Sequence, residues 1–200
     1  MLKKLRHQRL INNLKALINS ADLALWPEIR GKVTLTDLTT PIEGNSCALQ
    51  LCIEAGNAKL LGEFLHHFPQ LMNRRLGDGR LLLEWVFAAD QRLAFLSAML
   101  ANGLDPNQQI ENSTLVEISL NQTPQAAMLL VNRLAQHGAN LENPRLLQMA
   151  LKLGDTSLLK FLVDSGAPLE LSDTTEEIDP ELLAFTRRAI EDKRIRDLWA

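Results

Sequence analysis

The sequence predicts an all-α fold, a helical-repeat solenoid of about four units closed at its N- and C-terminal ends by capping helices. Three observations carry that expectation. The chain has 200 residues, of which 41 are Leu and none is Tyr, and Leu is a straight-chained, helix-favouring apolar residue. Leucine recurs at positions 49, 83, 115 and 147, at intervals of 34, 32 and 32 residues, a rhythm that belongs to stacked units and that a generic bundle does not require. Seven residues after each of these leucines stands a short polar break: Gly56-Asn57, Asp90-Gln91, Gln122-Thr123 and Gly154-Asp155. Such breaks stop one helix and start the next.

Taken in order, residues 1–43 read as an N-terminal capping helix and its connector. Leu2, Leu5, Leu10, Leu14, Leu17 and Ile18 share one helical face, and Trp26-Pro27 and the Thr-rich stretch from Val33 to Pro41 follow. Residues 44–171 hold the four units. Three residues after each recurrent leucine comes a small or apolar residue, Cys52, Val86, Ile118 or Ala150, and a second apolar run follows every break. These runs are Leu60 to Leu65, Leu93 to Leu100, Met128 to Leu134 and Leu158 to Val163. The last three end at Gly103, Gly138 and Gly166, where a left-handed residue closes a helix most easily. Residues 172–200 read as an acidic linker and a C-terminal cap. Glu170 to Glu181 carries six acids and no base, and Asp179-Pro180-Glu181 places an N-cap carboxylate, a first-turn Pro and a further acid at a helix start. Leu183 lies 36 residues after Leu147, so the last helix reads as a truncated fifth unit.

On these residues the chain resembles the ankyrin-repeat family over roughly 44–171. The segment from Gly154 to Leu169 resembles that family's second helix and exit, Gly138-Ala139-Asn140 its Gly-Ala-Asp-x-Asn turn, and Gly77-Asp78-Gly79-Arg80 its entry turn. The Thr-Pro-Leu-His opening is not kept. Gln50, Glu84, Val116 and Gln148 stand where the family has His, so its hydroxyl and imidazole network is expected to be missing, and Thr123-Pro124-Gln125 reads as a small insertion. A tetratricopeptide array would want Trp, Gly and Tyr at places this chain does not supply.

The resemblance implies a concave face lined by the first helix of each unit. Two residues after the recurrent leucines stand Leu51, Trp85, Glu117 and Met149, and five after them Glu54, Ala88, Leu120 and Lys152. These are the expected partner-binding positions, an apolar strip with charged edges whose anchor is Trp85. The competing reading is that Trp85 and Met149 fill the core of degenerate units. Loop tips form a second surface: Arg74, Arg75, Asp78 and Arg80 with Asn73, then Asn107 to Asn112, then Asn140, Glu142 and Asn143.

Composition excludes several functions. A net charge of -3 argues against a surface built for nucleic acid. Charged or amide residues interrupt every Leu-rich run before a bilayer could be crossed, and the basic N-terminus has no apolar stretch for an export signal. Cys47 and Cys52 match neither a redox pair nor a zinc site, which fits a reducing, cytoplasmic setting. Adjacent His66 and His67 point in different directions on a helix, Gly77-Asp78-Gly79-Arg80 lacks the Lys-Ser/Thr of a phosphate loop, and Glu176-Glu177 sit in solvent. No catalytic residue, metal or cofactor is expected. The expected function is a non-enzymatic scaffold, an adaptor or inhibitor binding another protein. The alternatives are an immunity-type protein that neutralises an enzyme, or a membrane-surface regulator tethered by the basic first helix through Lys3, Lys4, Arg6, Arg9 and Lys15.

Overall fold

A computed structural model of the chain describes residues 2–20, 22–170 and 178–199. Most of these residues are helical, and the chain divides into two compact units, Met1–Leu104 and Asp105–Ala200.

The first unit begins with α1 (Leu2–Ile18), the short helices α2 (Trp26–Ile29) and α3 (Leu35–Thr39), and a tight hairpin of β1 (Pro41–Glu43) and β2 (Ser46–Cys47). The helix pairs α4 (Ala48–Glu54) with α5 (Ala58–His67) and α6 (Leu82–Ala88) with α7 (Arg92–Ala101) follow. Like packs on like: α4 touches α6, and α5 touches α7. The apolar spacing of α5 buries Leu60, Leu61, Phe64 and Leu65 together, and each such side chain contributes about 2 kcal/mol of hydrophobic free energy. Trp26 is buried beside them. Its Nε1–H donates to Glu63 Oε2 at 2.8 Å while its ring meets Phe64 and His67 edge-on, both at 5.3 Å between centroids. Asn57 joins two helix ends: its Oδ1 accepts from Leu60 N–H at the start of α5, and its Nδ2 donates to the carbonyls of Leu17, Ile18 and Ser20 at the end of α1. The connector expected after α1 therefore carries two helices of its own. One of them, α3, has a full capping box in which buried Asp37 accepts from the Thr34 N–H and hydroxyl.

The second unit holds the hairpin of β3 (Gln109–Ile110) and β4 (Ser113–Thr114), the pairs α8 (Leu115–Leu120) with α9 (Pro124–Gln136) and α10 (Pro144–Leu153) with α11 (Thr156–Asp164), and α12 (Pro180–Leu198). Here α8 touches α10, α9 touches α11, and α12 lies on α11. Asn107 ties two loops, donating to Gly138 O at 3.1 Å and accepting from Asn140 N–H. Gly103, Gly138 and Gly166 take φ of +94°, +88° and +95° just past α7, α9 and α11, a conformation costly for any residue with a Cβ. The three extra residues around Pro124 are no separate insertion, because Pro124 occupies the first position of α9, which runs 13 residues against 10 for α5 and α7. Of the acidic linker, residues 171–177 lie outside the described residues, Glu176-Glu177 among them. Asp179 does cap α12, accepting from Glu181 N–H at 2.8 Å.

Three first helices begin by the same local device. The hairpins at 41–47, 75–81 and 109–114 each end on a helix N-cap, Cys47, Leu81 or Thr114. The side chain three residues on reaches back to the N–H of that cap. Gln50 accepts from Cys47 at 2.8 Å, Glu84 from Leu81, and Glu117 from Thr114 at 2.7 Å. Gln50 and Glu84 thus make a substitute network where a missing one was expected, and in the third case the role falls to Glu117 and not to Val116. Leu49 and Leu83 stand two places after their caps, but Leu115 stands one place after Thr114. The register drawn through Leu115 is one residue out. All four recurrent leucines are nevertheless 0% exposed.

Candidate interaction surface

The one-residue shift decides which predicted contacts face outward. Glu117 is 6% exposed: its carboxylate holds the Thr114 N–H and hydroxyl, and Arg145 approaches within 3.7 Å. Leu120 is 2% exposed and belongs to the core. Neither can belong to an outward strip. Counted from the Thr114 cap, the equivalent outward places are held by half-buried Ile118 and exposed Asn121. On α10, Met149 is half-buried and Lys152 exposed.

In the first unit the structure gathers most of the predicted residues. Leu51 is half-buried, Glu54 and Ala88 are exposed, and Arg74, Arg75, Asp78 and Arg80 are exposed along the hairpin that leads into α6. That hairpin is tied by Arg75 Nη1 donating to Gly79 O at 2.7 Å, Leu76 N–H to Arg80 O at 2.8 Å, and Leu82 N–H to Arg74 O at 2.9 Å. The tie brings Asp78 and Arg80 back over Trp85, the fourth residue of α6. Arg80 stacks on the indole with its guanidinium carbon 4.0 Å from the ring centroid. Asp78 then bridges the two, accepting from Arg80 Nε at 2.6 Å and from Trp85 Nε1 at 3.3 Å. The hydrogen bond from Arg80 holds the Asp78 carboxyl below the usual carboxylate range, aided by the one from Trp85.

Beside this triad lies a recess of about 320 Å³, walled by Ile53, Glu54, Trp85, Arg80 and Asp90. Ala55, Gly56, Ala88 and Ala89, which add little side-chain bulk, also line it. Leu51 is not among its lining residues, and Ile53, Asp90 and Gln91 are lining residues that sequence reasoning did not select. The Ala88-Ala89 pair running into the polar break at Asp90 was the available signal.

Other reactive groups are disposed differently. Cys47 and Cys52 are buried and unpaired. Burial pushes both thiols up, and Cys52 Sγ–H donates to Asn57 O. Among the described residues no group of three or more His, Cys, Asp or Glu side chains is placed to hold a metal ion, and no helix is long and apolar enough to cross a membrane. Comparison with known proteins found no matching family model, no matching curated protein and no matching solved structure.

Proposed function

We propose that the chain is a non-enzymatic, ankyrin-like binding scaffold, an adaptor or inhibitor that holds another protein. In this reading the contact is made by the outward sides of α4 and α6 and by the hairpin tip of the first unit. The supporting observation is the Trp85 triad. A large indole stands half-buried outside the core, its orientation fixed by Arg80 on its face and Asp78 on its N–H. Trp and Arg held rigid beside a recess have the composition and preorganisation of interface anchors, since little side-chain entropy is left to lose on association. The like-on-like packing of α4 with α6 and α5 with α7, and of α8 with α10 and α9 with α11, supports the ankyrin-like part of the proposal. Two buried, unpaired thiols support work in a reducing, cytoplasmic compartment.

The test is affinity capture with wild-type protein and with Trp85→Ala, followed by a thermal melt of both. Loss of one co-purifying protein with a melting temperature within about 3 °C of wild type supports the scaffold reading. Unchanged capture accompanied by a fall of about 8 °C or more places Trp85 in packing alone and removes the anchor.

A further inference from the structure

A second site lies away from Trp85, in the cleft between α1 and α2, and it is independent of the protein-binding reading. The cleft has a volume of about 700 Å³, within the range of small-molecule sites. Arg6 and Arg9 line it from α1, and Lys32 from the turn after α2. None of the three makes an ion pair with a described residue, and the single carboxylate in the lining, Glu28, makes none either. Leu10 and Ile29 supply apolar wall. His7, also in the lining, stands 3.6 Å from the buried Asp37 carboxylate of α3, which is not itself among the lining residues.

Three exposed cations and one carboxylate give the lining of one concave space a net charge of about +2, which a dianion would neutralise. Two guanidinium forks match the tetrahedral oxygens of phosphate better than a lone carboxylate. Phosphate alone would fill only a small part of this volume, and the apolar wall accommodates an organic stem. We infer that the α1–α2 cleft binds a phosphomonoester on an organic group, through Arg6, Arg9 and Lys32. A soluble phosphorylated compound and a phosphomonoester lipid headgroup share that chemistry.

The test titrates full-length, isotope-labelled protein with phenyl phosphate and, separately, with phenyl sulfate, and reads amide shifts. Phenyl phosphate is expected to move α1 and α2 resonances with a Kd near or below about 1 mM, roughly tenfold tighter than the monoanionic sulfate. Arg6→Gln, Arg9→Gln and Lys32→Gln together should abolish the effect, whereas Arg187→Gln with Arg188→Gln on α12 should leave it unchanged. If the triple variant fails to fold, Lys32→Gln alone should weaken binding about threefold. Sedimentation with phosphatidic acid or phosphatidylserine vesicles of equal anionic content separates the sources. Selective retention on phosphatidic acid, lost in the triple variant, assigns a lipid headgroup, and phenyl phosphate binding without retention assigns a soluble compound. Equal response to phenyl phosphate and phenyl sulfate, shifts outside α1 and α2, or indifference to the triple variant would overturn the inference.

Discussion

The starts of α6 and α8 solve one problem with different residues. Each follows a hairpin, and each uses a Glu three places after the N-cap to hold the cap's backbone N–H. At α8 the cap is Thr114, whose hydroxyl returns the favour by accepting from Glu117 N–H at 3.2 Å. At α6 the cap is Leu81, which has no acceptor to offer, so only half of the box forms. Glu117 is buried and Glu84 half-buried, while Gln50, which also faces a cap without an oxygen, is buried like Glu117. The position of the cap, and not the recurrent leucine, therefore marks which residue of α8 takes the place that Glu84 holds in α6.

Substitutions can break or sharpen that contrast. The largest effect is expected at Leu120, a core residue once the register is read from Thr114: Leu120→Ala should cost about 3 kcal/mol in chemical denaturation, while Ala88→Ser, at the corresponding leucine offset in α6, should stay within about 0.5 kcal/mol. Equal costs would restore the register drawn through Leu115. Next come the caps themselves. Glu117→Ala strands a backbone N–H and a hydroxyl together and should cost about 2 kcal/mol; Glu84→Ala loses one bond at a half-buried site and should cost about 1 kcal/mol.

A smaller gain is expected in the hairpin before α8. Glu111 holds φ of +56°, the conformation that Gly44 adopts at +55° in the first hairpin. Glu111→Gly should raise stability by about 0.5 kcal/mol, and a loss on melting would show that the Glu side chain makes a compensating contact.

The smallest effect concerns pH at the exposed triad. Because the folded-state carboxyl of Asp78 titrates below its ordinary 3.8, its contribution is complete above that value and fades as pH falls through the lower folded value. In a Trp26→Phe, Trp199→Phe background, Trp85 fluorescence should hold steady from neutral pH to about 5 and shift below about 4, and Asp78→Asn should remove the shift. A transition centred above pH 5 would mean that another group controls the indole.

Much of the helical content was legible in the sequence because leucine periodicity, polar breaks and glycines at helix ends report burial and termination directly. The paired strands were not, although the turn at Gly77-Asp78-Gly79-Arg80 was. Strands of two or three residues are too short to display alternation, and their pairing is fixed by the turn between them. Caps at Cys47 and Leu81 escaped notice because neither residue carries the usual oxygen acceptor, so the reach of Gln50 and Glu84 had no visible counterpart. The extra length of α9 was legible at Thr123-Pro124-Gln125, but the sequence did not show that these residues open the helix itself, with Pro124 at its first position. At the candidate surface, Trp85 follows from the register that the resemblance implies, and Asp78 and Arg80 were legible only as a separate loop tip: Asp78 lies seven residues earlier and reaches the indole only because a hairpin folds it back. The error at Glu117 and Leu120 has a similar origin, since two adjacent apolar residues, Leu115 and Val116, left the alignment free to slide by one.

The only two sulfhydryl groups of the chain, at 47 and 52, both sit inside the first unit, and the second has none. An alkylating reagent added to the native protein therefore times the opening of the N-terminal half alone, without any engineered label. Its rate as a function of denaturant would tell whether that half breathes on its own or unfolds only with the whole chain.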